Sequence, residues 1–136
     1  MTGYTLSTTV ERPYLETVEA VRAQLGEAGF GVLTEIDLKA TLKAKLDVDV
    51  EPQLILGACR PQLAHQALQA DPSIAALLPC NVVIRAVDDT TTVVESFDPD
   101  VMMSLAGTDS AGDALRTVAA EALQRLTAAL TGLENH

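Results

Sequence analysis

The chain has 136 residues, which suits one domain and leaves little room for two. Apolar residues make up 48% and charged residues 21%, which excludes a disordered chain, because enough apolar surface is present to offset the entropy of ordering. A net charge of −10 excludes a protein that grips phosphate backbones by charge, so no nucleic-acid partner is expected.

Aromatic residues are only 3% and Trp is absent. The core must therefore come from Leu, Val, Ile and Ala, without flat platforms for stacked bases or sugars. The first residues carry no basic segment followed by an apolar run, and no stretch approaches the roughly 18 apolar residues of a membrane span. The expectation is a cytoplasmic protein without a membrane segment, its two cysteines, Cys59 and Cys80, kept reduced.

Residues 4–10 alternate Tyr4, Leu6, Thr8 and Val10 with polar residues, the period of a half-buried strand. Pro13 suits the first position of a helix, and Tyr14, Val18, Val21, Leu25 and Ala28 recur at helical spacing until Gly29 ends the run. Residues 30–36 read as a second strand. Asp37 then caps a short helix, Leu38 to Leu46, and an acidic turn follows from Asp47 to Pro52. Residues 53–59 form an apolar run too short for a helix and read as a buried strand.

Pro61 opens a helix carrying Leu63, Ala64, Ala67 and Leu68, and Asp71-Pro72 breaks it. A second short helix spans Ser73 to Leu78 and stops at Pro79. Strands at 81–87 and 91–97 flank the Asp88-Asp89 turn as a hairpin. Asp98-Pro99 begins a loop or helical turn through Met102 and Met103, adjacent methionines that suit core filling or an adaptable pocket. A Gly-containing stretch at 106–112 reads as mobile, with Asp109 or Ser110 available to cap the last helix. That helix carries Leu115, Val118, Ala119, Ala122, Leu126, Ala129 and Leu133, and its tail is expected to fray after Gly132.

The order β-α-β-α-β-α(α)-β-β-α breaks strict βαβ alternation at the hairpin. The fold class is therefore α+β: one domain over 1–136 with a mainly antiparallel or mixed sheet of four to five strands, helices packed on it. A mixed sheet with one parallel crossover is the alternative.

The chain holds no Gly-rich phosphate loop, nucleophile elbow, zinc-protease helix motif or Cys-x-x-Cys. Glu35 and Asp37 share one strand face and form a candidate pair for a cation or a proton, with Lys39 and Lys43 placed to neutralise them. The plain alternative is a solvated pair at a strand end beside an ordinary polar helix. The most suggestive set is Cys59, His65 and Cys80. Cys59 precedes Arg60-Pro61 at a strand-to-helix junction, where helix N–H groups favour thiolate. Two Cys and one His supply three ligands of a four-coordinate metal ion, although the fourth ligand is missing and buried inert thiols are common. Because Asp71-Pro72 lets the chain fold back, strand 81–87 is expected antiparallel to 53–59. Cys80 then lies beside Cys59, with His65 above both.

Three stretches together carry a family resemblance: Gly31-Val32-Leu33-Thr34-Glu35-Ile36-Asp37-Leu38-Lys39-Ala40-Thr41-Leu42-Lys43, Ile55-Leu56-Gly57-Ala58-Cys59-Arg60-Pro61, and Leu77-Leu78-Pro79-Cys80-Asn81-Val82-Val83. The chain resembles the family catalogued as domain of unknown function 302, most strongly from about Gly29 to Met103. The resemblance implies a compact α+β domain, a homodimer and no assigned activity. The family pattern often has Asn where this chain has Arg60, so ligand identity does not carry over. The expected function is a homodimeric module binding a small ligand or a metal ion near Cys59, Arg60 and Cys80. A thiol-dependent enzyme or redox sensor is the runner-up, and a purely structural interaction domain the third reading.

Overall fold

The computed structural model describes residues 3–101 and 112–134. Met102, Met103, the 106–111 stretch, the caps expected at Asp109 or Ser110, and His136 lie outside the described residues. The elements follow the expected order: β1 (Thr5–Val10), α1 (Tyr14–Glu27), β2 (Gly31–Asp37), α2 (Leu38–Leu46), β3 (Gln53–Cys59), α3 (Pro61–Ala70), a 3-10 turn (Pro72–Leu77), β4 (Cys80–Ala86), β5 (Thr92–Phe97) and α4 (Gly112–Glu134). The last helix runs through Gly132 to Glu134, and Leu133 is buried.

The five strands form one sheet in the order β1-β5-β4-β3-β2, and every neighbouring pair is antiparallel. This is the α+β architecture, and the parallel crossover kept open as an alternative does not occur. The reason lies between β3 and β4. Asp71 leaves the helical region and its carboxylate accepts from the Ser73 amide at 3.0 Å, so a capped turn replaces a continuing helix. The chain thereby returns to the end of the sheet it left.

Helix boundaries have local causes. Pro13 stands just before α1, Thr17 Oγ donates to the Pro13 carbonyl at 2.9 Å, and Gly29 takes φ +89 past the C-terminus. Asp37 caps α2 by accepting from the Ala40 amide at 2.9 Å.

Period-2 alternation puts Leu54, Leu56, Ala58, Val82, Ile84 and Val94 on one sheet face, where they meet Val21 and Leu25 of α1 and Leu126 and Leu133 of α4. A second apolar cluster gathers Ala67, Ile74 and Leu115. With 23 residues, α4 is about 34 Å long and reaches both clusters. Among the described residues the four buried hydroxyls are satisfied: besides Thr17, Thr92 donates to the Arg12 carbonyl, Thr8 to Glu134, and Ser96 to the Phe97 carbonyl.

One irregularity alters a face. The register of β2 shifts between Val32 and Thr34, so that Glu35 opposes Leu56 and Asp37 opposes Leu54. Both acidic residues therefore stand on the α1 side at the sheet edge. Thr34 and Ile36 turn to the opposite face, where Ile36, Ile55 and Val83 line up across three strands.

Candidate functional site

The site is built where β3 ends, α3 begins and β4 starts. Cys59 is the last residue of β3, Arg60 precedes α3, and Pro61 occupies its first position. On β4, Cys80 pairs with Ala58, the residue just before Cys59. The expected return of the chain and the antiparallel β3–β4 pairing are both observed. Both cysteines carry free thiols.

A cavity of about 50 Å³ opens at this corner, between the two apolar clusters. Its floor is Ala58, Cys59 and Cys80. Leu63, Ala64 and Ala67 of α3 form one wall, and Leu115, Val118 and Ala119 of α4 form another. Phe30, Ile74, Leu78 and Pro99 add to the lining, and Arg60 is its only charged residue among the described residues.

Around Arg60 lies a small ionic cluster. Its Nε stands 3.4 Å from a carboxylate oxygen of Glu121, an ion-pair distance without hydrogen-bond geometry. The same oxygen accepts from Arg125 Nε at 3.0 Å, and Arg125 Nη1 also donates to the Ala28 carbonyl at 2.9 Å. One carboxylate thus serves two guanidinium groups. Gly29 permits this approach twice over. Its φ of +89 suits only glycine, and a Cβ there would stand 2.4 Å from Arg60 Nη1 and 3.3 Å from Arg125 Nη1.

The thiols differ from the sequence expectation. Burial pushes Cys80 up from the ordinary 9.0 to about 11, and the neighbouring charge of Cys59 adds to the rise. Burial raises Cys59 as well. Desolvation outweighs the α3 N-terminus, so both sulfurs stay protonated at neutral pH and neither has the lowered pKa of an activated nucleophile.

The three-ligand metal set does not form. Among the described residues no three of His, Cys, Asp and Glu come together to hold a metal ion. His65 lies on the exposed side of α3, because Leu63 and Ala67 face inward and each is two residues, or about 200°, away from it.

The acidic pair is placed together, but its neutralising partner is different. Glu35 pairs with Arg22 of α1, and both Asp37 and Glu35 help, after burial, to raise the Tyr14 hydroxyl above its ordinary value. Lys43 turns instead to Asp47 at 2.9 Å and Asp49 at 3.5 Å, and Lys39 donates to the Val50 carbonyl at 2.8 Å. Their place on α2 points them at the acidic loop that follows, so neither neutralises the strand pair. Glu35, Asp37 and Lys43 are absent from the cavity lining.

Glu121 and Arg125 were not singled out as site residues in the sequence, and the α4 wall was read only as the helix's apolar stripe. An i,i+4 carboxylate–guanidinium pair is visible there, but it is also what an ordinary solvated helix carries.

No curated protein matches the chain. The crystal structure of the uncharacterized conserved protein DUF302 from Bacillus stearothermophilus is similar, with a TM-score of 0.85 and 27% sequence identity over 96% of this chain and 98% of that one. The pattern of the family described as domain of unknown function DUF302 matches residues 6–133. That span runs from β1 to the end of α4 and includes the three stretches that carried the resemblance, so the chain belongs to the DUF302 family.

Proposed function

We propose that this protein is a small-ligand-binding module whose site is the cavity at Cys59, Arg60 and Cys80. The observation that carries the reading is the cavity itself: a concave, almost wholly apolar space with one charged side chain at its edge. Binding sites for small molecules have that composition, with few polar groups to fix orientation. The raised thiol pKa values speak against a thiolate nucleophile at neutral pH and so favour binding over thiol catalysis. The net charge of −10 speaks against a nucleic-acid partner.

The binding unit is a homodimer, in the cytoplasm. Support for the dimer comes from the sheet face away from the core, where Ile36, 45% exposed, aligns with the partly buried Ile55 and Val83. The reading of a reducing compartment follows from a chain with two cysteines, neither of them in a disulfide. Among the described residues no helix is long and apolar enough to cross a membrane.

The test of the site uses 1-hexanol as an apolar probe followed by methyl NMR. Millimolar 1-hexanol is expected to shift the methyl signals of Leu63, Ile74 and Leu115. Those of Leu130, which is outside this cavity, should stay unchanged. Uniform shifts, or none, would sink the reading.

A further inference from the structure

We infer that the ligand of this cavity is a short aliphatic carboxylate, its chain among the apolar walls and its carboxylate on Arg60. This inference rests on the binding-module reading and adds the chemical class.

The walls settle the body of the ligand. Apart from Arg60 and two protonated thiols, every lining side chain among the described residues is hydrocarbon. Among the described residues no hydroxyl, amide or carboxylate lines the space to meet a sugar or a nucleotide base, and each polar group buried without a partner costs a few kcal/mol. Alkyl groups carry no such penalty and gain by burial.

Size narrows the class further. Apolar cavities of roughly 150 Å³ hold a benzene ring. This one measures about 50 Å³, about one third of that. A slim chain can enter end-on, its last few carbons inside and the rest at the open mouth beside Arg60, where a ring would have to push α3 or α4 aside.

The head group follows from charge. Arg60, Arg125 and Glu121 form a cluster of two cations and one anion, in a protein whose total charge is strongly negative. Glu121 hydrogen-bonds Arg125 and reaches Arg60 only at 3.4 Å, which leaves the buried Arg60 Nε with no hydrogen bond. A second carboxylate would satisfy that donor and cancel the surplus charge. Guanidinium groups match carboxylates because two N–H groups can point at two oxygens at once. Gly29 holds open the space in which this guanidinium sits.

The experiment compares hexanoate, 1-hexanol and benzoate by calorimetry on the full chain. Hexanoate is expected to bind at least tenfold more tightly than 1-hexanol, and benzoate more weakly than hexanoate. Arg60→Gln should bring hexanoate down to the level of the alcohol, with Arg60→Lys intermediate. Thermal melts check that both variants fold. The comparison within the native protein stands even if a variant does not, and raising the salt concentration should weaken hexanoate alone. Equal binding of hexanoate and 1-hexanol, tight binding of benzoate, or an Arg60→Gln variant that keeps the hexanoate preference would overturn the carboxylate assignment and leave the cavity reading standing. Absence of binding by all three would overturn both.

Discussion

Burial that lifts Cys80 to about 11 has a consequence for stability. An acid whose pKa is raised in the folded state binds its proton more tightly there than in the unfolded chain. Its contribution is complete below the unfolded value near 9 and is lost as pH rises towards 11. We predict that stability falls between those limits by about 1.4 kcal/mol per pH unit, and that Cys80→Ala flattens this slope. Urea unfolding at a series of pH values measures it. An equal slope in wild type and variant would show that Cys80 is not the group responsible. Cys59→Ser should lower the Cys80 pKa, because it removes the neighbouring charge, but leave it above the ordinary value, because burial is the larger cause. Alkylation rate against pH reads this directly. Glu95 shows the opposite sign. The Arg85 hydrogen bond, the largest influence, holds its carboxyl below the ordinary range; burial, second in size, pulls the other way, and Thr5 adds a smaller lowering. Its contribution is therefore present above the unfolded carboxylate pKa and is lost as pH falls through the folded one. Glu95→Gln is expected to destabilise at neutral pH by about 1 kcal/mol and to converge with wild type in acid. These placements were only partly legible. That Cys59 and Cys80 meet could be argued from Asp71-Pro72, because proline chemistry is local. That their sulfurs would be buried could not, because burial there depends on α4, which arrives from more than 30 residues away along the chain.

At the scale of elements, α2 and the α1–β2 junction make contrasting cases. No side chain of α2 is buried, so little beyond its cap and its ionic contacts holds it. Asp37→Ala should remove about 1 kcal/mol of local stability. Hydrogen exchange across residues 38–46 should speed up while the global melting temperature moves little. A large global loss would mean that α2 is coupled to the core after all. Gly29, in contrast, joins α1 to β2 and touches both Arg60 and Arg125. Gly29→Ala must accept a left-handed backbone, about 1–2 kcal/mol, and must also displace a guanidinium. The expected result is a lower melting temperature together with weaker hexanoate binding. Loss of stability alone would separate the backbone effect from the site. The elements themselves were readable because capping residues, proline positions and period-2 or 3.6 repeats act over a few residues. The β2 bulge was not readable. Nothing in Val32-Leu33-Thr34 announces a register shift, which is settled by how the strand pairs with β3.

On the scale of the whole molecule, the row of exposed Ile36 and half-buried Ile55 and Val83 is the surface on which the dimer reading depends. Light scattering at micromolar concentration is expected to give twice 14.3 kDa, and Ile36→Lys should shift the population towards the single-chain mass. A native protein already at the single-chain mass would reject the dimer. The sequence by itself determined the fold class, the element order, the terminators at Gly29 and Asp71-Pro72, and the return of β4 beside β3. These depend on hydrophobic period, on capping and on what proline forbids, all of which are local. The tertiary structure alone decided that His65 faces solvent away from the thiols, that Lys43 serves the following loop, and that Glu121 and Arg125 of α4 meet Arg60 over Gly29. A cavity has no sequence of its own. It is the space left where α3, α4 and the end of the sheet fail to close completely, and only the packing of distant segments sets its walls.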